Sequence, residues 1–84
     1  MDYVLLIAIE VVQFTEALPT HERHNIRAAL VAIGNDPLGQ SDAEEYDVSG
    51  RLLHHTIVGD YALSYWIDDA DMHIKILEIN PADA

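Results

Sequence analysis

The 84-residue sequence contains no cysteine and only four basic residues. The absence of cysteine excludes disulfide bonds, thiolate catalysis and cysteine-ligated zinc sites. Fifteen acidic residues give a formal net charge of −11, which repels the phosphate backbone of nucleic acids. We therefore do not expect general nucleic-acid binding, although the same acidity also keeps a small protein soluble, particularly at high salt.

Long apolar runs are absent as well. Residues Tyr3 to Ile9 form an apolar run of seven residues, which is too short to span a membrane and follows no basic segment of the kind that begins a signal peptide. We expect a cytoplasmic protein without a membrane segment. The length predicts a single domain over residues 1–84, which buries only about 60 to 65% of its unfolded surface, so dimerisation would add useful stability.

The C-terminal half has the pattern of three strands joined by tight turns. Between Arg51 and Ile79, β-branched and aromatic residues are interrupted only at Gly59-Asp60 and at residues 68–71. The second of these strands alternates with a period of two. It therefore predicts a core face formed by residues 61, 63, 65 and 67.

The third of these strands is apolar on both faces. Ile74 and Ile76 point to one side, and strict alternation puts Leu77 and Ile79 on the other. One helical hairpin covers a single face, so something else must cover the second. We expect a second copy of the chain to do so, in a two-fold homodimer.

The N-terminal half predicts one strand and two helices. The apolar run of residues 3–9 is typical of a strand that is covered on both faces. Apolar residues then recur with helical spacing over residues 10–18 and 20–33, with Pro19 between the helices and Thr20 as the N-cap of the second. The two apolar stripes must bury against the sheet, because no other part of the chain is sufficiently apolar.

The remaining segments are interpreted from their polar composition. Residues 38–45 carry several charges and predict a loop or the start of an edge strand, whereas Tyr46-Asp47-Val48 predicts a short strand. Residues 80–84 predict a fraying tail. The resulting order is β-α-α-β-β-β-β in an α+β domain.

Several motifs in this order resemble those of the RelE/ParE superfamily, the small toxins of bacterial and archaeal toxin-antitoxin pairs. They are a first helix ending at Leu18-Pro19, then Asn35-Asp36-Pro37, Val58-Gly59-Asp60-Tyr61, Tyr65-Trp66-Ile67-Asp68 and Ile74-Lys75-Ile76-Leu77. The resemblance implies a RelE-like fold, with the helical hairpin packed on one face of a mainly antiparallel sheet. It also implies that the open face docks on the ribosome to cut messenger RNA or, in the ParE branch, acts on gyrase.

The sequence departs from the family at positions that matter for cleavage. Active members usually carry an arginine in the strand before the turn, a second just after its tyrosine and a chain end that is basic or carries His or Tyr, where this sequence has His55, Ala62 and residues 81–84. Arg51 and His54 are the other candidates nearby. Because neighbours in a strand face opposite ways, Arg51 and His55 are predicted to share a face and His54 to lie on the other.

Two interpretations of Arg51 and His55 follow. In one, His55 transfers a proton and Arg51 binds the phosphate, as an active ribosome-dependent messenger-RNA endoribonuclease would require. In the other, which we favour, both are ordinary cross-strand polar residues. The chain is then a RelE/ParE-like protein without ribonuclease activity that binds a protein partner, either an antitoxin-like protein or a second copy of itself.

No metal or cofactor site is expected. His21 and His24 have a spacing that metal ligands use, but a position early in a helix beside an arginine favours solvation. The acidic residues 68–73 lack the spacing and the glycine of a calcium loop, so we interpret them as a turn. Trp66 and Tyr46 are suited to stacking on a nucleobase, but buried sheet aromatics are commoner, and we expect both in the core.

Overall fold

A computed structural model describes residues 3–82, which form two helices and a five-stranded sheet. The elements are β1 (Val4–Ile7), α1 (Ile9–Glu16), α2 (Thr20–Asn35), β2 (Ala43–Tyr46), β3 (Leu52–Val58), β4 (Tyr61–Asp68) and β5 (His73–Pro81). The strands lie in the order β1-β5-β4-β3-β2, with β1 parallel to β5 and all other neighbours antiparallel. The predicted element order and α+β class are confirmed.

The helices pack together on one face of the sheet. Their apolar stripes meet the residues of β4 and β5 that alternate toward them, because side chains two apart in a strand share a face. The buried core consists of Val11, Ile26, Leu30, Ile33, Leu63, Tyr65, Ile74 and Ile76. The predicted hairpin over a single face of a mainly antiparallel sheet is confirmed.

A β-bulge in β5 corrects the predicted faces of this strand. Ser64 pairs with Glu78 but Tyr65 pairs with Ile76, so Leu77 is an extra residue opposite the β4 ladder. An extra residue reverses the alternation beyond it. Ile79 therefore packs against the core instead of sharing a face with Leu77, and the second apolar face of β5 is smaller than predicted.

The prediction that the first strand is covered on both faces is wrong. Leu5 and Ile7 pack against the core, whereas Val4 and Leu6 are 55% and 42% exposed. The physical reason is that β1 is an edge strand and both helices lie on the same side of it. No helix within residues 3–82 is long and apolar enough to cross a bilayer.

Several boundaries differ from the predictions. Pro19 rather than Thr20 occupies the N-cap of α2, and no side chain caps this helix. The short second strand comes earlier than predicted, because Asp47 begins a turn: its carboxylate accepts the backbone N–H of Ser49 at 2.9 Å.

The predicted C-terminal tail is partly ordered in β5. Asn80 and Pro81 belong to this strand, and the Ala82 N–H donates to the carbonyl oxygen of Asp60 at 2.8 Å. The backbone of this segment is therefore tied to the β3–β4 turn. The remainder of the predicted tail, residues 83–84, lies outside the described residues.

Candidate functional site

The face of the sheet opposite the helices, here called the open face, carries both predicted site residues. His54 is only 3% exposed and turns toward the helices, whereas His55 turns to the open face opposite its β4 partner Ser64. Arg51 reaches the same region from the turn before β3. Both side chains border one depression of about 300 Å³, the His55 depression, lined by Glu45, Asp47, Arg51, Leu53, His55, Ser64, Leu77 and Glu78.

His55 uses both of its ring nitrogens within the sheet. Nε2 lies 2.8 Å from Oε1 of Glu45 on β2, and Nδ1 lies 2.8 Å from the hydroxyl of Ser64 on β4. A carboxylate only accepts hydrogen bonds, which assigns the proton of the neutral ring to Nε2 and leaves Nδ1 to accept from Ser64. Neither nitrogen of His55 is then free to take a proton from a substrate.

Arg51 is part of a hydrogen-bonded turn. Its Nε donates to Oδ2 of Asp47 at 2.8 Å, and its backbone N–H donates to Oδ1 at 2.9 Å. The hydroxyl of Ser49 also donates to Oδ1, at 2.7 Å. The bonds from Ser49 and Arg51 hold the pKa of the Asp47 carboxyl well below its usual range. The carboxylate is therefore ionised and offsets the charge of the guanidinium.

Trp66 lies half-buried on the open face, so the prediction that it belongs to the core is wrong. The guanidinium carbon of Arg51 is 5.3 Å from the ring centroid, and Nζ of Lys75 is 5.0 Å from it. Lys75 also approaches the carboxylate of Asp68 at 3.4 Å. Tyr46, on the edge strand β2, is 73% exposed and is likewise outside the core.

The His55 depression carries more negative than positive charge. Three carboxylates line it, those of Glu45, Asp47 and Glu78, against the single guanidinium of Arg51. Such a surface repels a phosphate group and favours a cationic or neutral one. Glu45 and Ser64 were missed from the sequence, because only strand register brings them next to His55. Asp47 was missed because its segment was interpreted as a strand, whereas it begins the turn that leads back to Arg51.

The other sequence candidates lie outside this depression. His21 meets the Asn25 amide at 3.4 Å on the surface of α2, and His24 is exposed. Residues 69–72 form the predicted turn between β4 and β5. Around this turn, potential ligand atoms of Asp68, Asp71 and His73 come within 4.8 Å of one another, a grouping that exposed acidic turns often show.

These features define an α+β protein in which a helical hairpin covers one face of a five-stranded sheet and leaves the other open. The sequence matches no protein-family model and no curated protein. Solved structures similar to it include three RelE proteins or RelE-containing complexes.

The archaeal RelE-RelB complex from Pyrococcus horikoshii contains a chain with 24% identity and a TM-score of 0.82, and the match covers 96% of each chain. A double arginine-to-alanine mutant of the E. coli toxin RelE in the free state has 16% identity and a TM-score of 0.73, covering 99% of this chain and 86% of that one. The RelBE2 toxin-antitoxin complex from Mycobacterium tuberculosis has 18% identity and a TM-score of 0.75, covering 96% and 99%. At these identities the similarity extends to the fold: the chain has a RelE-like fold, as its sequence motifs imply.

Proposed function

We propose that this chain is a RelE/ParE-like protein of the toxin-antitoxin type that binds a protein partner and does not cleave RNA. The observation that carries this proposal is the pairing of both candidate catalytic groups with carboxylates of the same chain, His55 with Glu45 and Arg51 with Asp47, each at 2.8 Å. The RelE-like fold supports a relationship to the RelE/ParE toxins, and the two carboxylate pairs argue against RNA cleavage.

Cleavage of a phosphodiester by its 2′-hydroxyl needs a base, an acid and a cation, and each such group contributes on the order of 10² to 10⁴ in rate. To act as the base, His55 would have to give up its bond with Ser64. To bind the phosphate, Arg51 would have to leave Asp47, and the carboxylates of the His55 depression would still oppose an anion. Ala62 has no group that could replace either of them.

The partner that we propose is an antitoxin-like protein. Two of the similar structures are complexes, the RelE-RelB complex from Pyrococcus horikoshii and the RelBE2 toxin-antitoxin complex from Mycobacterium tuberculosis, and this supports such a partner for this chain. Because this chain has a net charge of −11, the segment that contacts it should be basic or apolar. We further propose that residues 1–84 act as one unit in the cytoplasm, without a metal or cofactor.

The alternative function is an active ribosome-dependent messenger-RNA endoribonuclease that uses Arg51 and His55. One observation favours it, because both side chains border the His55 depression. The same depression would then hold the scissile phosphate.

Induced expression in a bacterial host and incubation of the purified protein with translating ribosomes distinguish the two. We expect no growth arrest and no new messenger-RNA 5′ ends, whereas a RelE toxin under the same promoter should produce both. Site-specific ends that disappear in His55→Ala or Arg51→Ala, but persist in the exposed-histidine control His24→Ala, would establish the alternative.

The partner is tested by co-expressing the tagged chain with the product of the adjacent gene of its native genome. We expect a stoichiometric complex that survives size-exclusion chromatography. Failure of this protein to bind would contradict an antitoxin-like partner encoded beside the chain, whatever the result of the cleavage assay.

A further inference from the structure

The second half of β5 has an unpaired edge. Strand β4 pairs with β5 from His73 to Pro81, whereas β1 pairs with it only from His73 to Ile76. The last bond on the β1 side is donated by the Ala8 N–H to the carbonyl oxygen of Ile76 at 3.0 Å, after which the chain turns into α1. Within residues 3–82, no backbone group pairs with the outer edge of residues 77–81.

An open groove of about 410 Å³ runs along this edge, and α1 forms its other wall. It is lined by the four consecutive β5 residues 77–80 and by Glu10, Val11 and Phe14. Phe14 is 37% exposed and Leu77 is half-buried, so the lining offers apolar surface, whereas Val11 is buried and contributes little. Glu10 and Glu78 are exposed and place two carboxylates in the lining.

We propose that this groove takes an extended segment of the protein partner, which adds to the sheet as a strand beside residues 77–81. Unpaired peptide groups at a sheet edge give affinity to an added strand, and pockets for alternate side chains give specificity. The groove would accept apolar side chains against Phe14 and basic ones beside Glu10 and Glu78. This inference deepens the proposed function and rests on it, since it names the chemistry of the partner segment.

Charge selects the partner over a second copy of the chain. Two copies that met at this groove would bring their Glu10 and Glu78 carboxylates together, in addition to a net charge of −11 on each. Like charges in contact oppose association, whereas a basic strand is attracted. At the opposite edge of the sheet, β2 is fully exposed and carries Glu44 and Glu45, and charged side chains on an edge strand discourage strand addition there.

The test uses the full chain, labelled with ¹⁵N, and the synthetic peptide acetyl-Lys-Val-Lys-Val-Lys-Val-Lys-amide as the probe. We expect saturable shifts of the signals of residues 77–80 and of Phe14. Hydrogen exchange of the outer-edge amides in residues 77–81 should slow by about tenfold or more when the peptide is bound. The same peptide with glutamate in place of lysine should not bind.

Backbone pairing is tested with two N-methylated versions of the peptide, one modified at the lysines and one at the valines. A strand turns alternate N–H groups to opposite edges, so one version should lose binding and the other should retain it. Equal binding by both, or equal loss by both, would overturn strand addition. Slower exchange at the same amides on raising the protein concentration without peptide would assign the groove to a second copy and overturn the proposed occupant.

Charge complementarity is tested with Glu10→Lys and Glu78→Lys. An exposed ion pair is weak, so each reversal should raise the peptide Kd about two- to fivefold. Asp71→Lys is the matched control, because it reverses a carboxylate at the opposite end of β5 and should leave the Kd unchanged. An equal effect of all three would reduce the binding to general attraction by an acidic protein and overturn the proposal.

Failure of this inference is distinguishable from failure of the proposed function, because the titration involves no ribosome or RNA. Messenger-RNA cleavage by a chain that still binds the peptide would overturn the proposed function alone. Absence of both cleavage and peptide binding would overturn strand addition at the groove and leave the proposed function standing.

Discussion

Tyr65 connects the centre of the sheet to the loop that leads into β2, and its hydroxyl offers a sharp test of the structure. The residue is fully buried, and its hydroxyl donates to the carbonyl oxygen of Pro37 at 2.5 Å, across 28 positions of sequence. Its ring stacks on that of His54, with the centroids 5.3 Å apart. Tyr65→Phe keeps the ring in place and removes only the hydroxyl.

The expected loss of stability follows from the buried carbonyl that this substitution leaves unpaired. A typical hydrogen bond contributes about 0.5 to 1.5 kcal/mol net, and an unsatisfied buried group raises the cost toward about 3 kcal/mol. For a domain of this size each kcal/mol lowers the melting temperature by about 4 to 8 °C, so a loss of about 1 to 3 kcal/mol should lower it by about 4 to 24 °C.

Urea and thermal denaturation, followed by circular dichroism, measure this change. The matched control is Tyr46→Phe, because Tyr46 is 73% exposed and its hydroxyl has no hydrogen bond within residues 3–82. The free energy of unfolding of this control should change by less than about 0.5 kcal/mol. A Tyr65→Phe variant as stable as the Tyr46→Phe control would refute the assigned hydrogen bond, and with it the connection between β4 and the β2 loop.

Two further predictions concern pH and association. Because its hydrogen bonds hold the pKa of Asp47 below the unfolded value of about 3.9, ionised Asp47 stabilises the fold above that pH, and this contribution is lost as the pH falls toward the folded pKa. Urea denaturation at pH 7 and pH 3 should therefore show a larger loss for the wild-type chain than for Asp47→Asn, and parallel losses would contradict it. The homodimer also stays a prediction: exposed Val4 and Leu6 on the edge strand β1 supply its apolar surface, and sedimentation equilibrium should show association that tightens as salt screens the acidic charge. A monomer at both low and high salt would contradict it.

Local patterns were sufficient to predict the elements and their order. Period-two alternation identifies Leu63 and Tyr65 as core residues of β4, and helical spacing identifies Val11 and Ile26 in the hairpin. Gly59 has a φ of 59°, the left-handed conformation that glycine adopts readily and that the β3–β4 turn requires. These features depend on residues close together in the chain, so composition and spacing carry them.

The features that the sequence did not predict depend on strand register, because register pairs residues that are far apart in sequence. The parallel pairing of β1 with β5 makes β1 an edge strand and exposes Val4 and Leu6, which the apolar run alone did not reveal. The bulge at Leu77 returns Ile79 to the core, and no local pattern marks it.

In the candidate site, too, one part is predictable from the sequence and another depends on strand pairing. Alternation along β3 is enough to separate His55 from His54, because the two are neighbours in one strand. The pairing of β3 with β2 and β4 brings Glu45 and Ser64 to the ring of His55, from 10 and 9 positions away in the sequence. The chemistry of His55 therefore depends on hydrogen bonds that exist only once three strands have paired.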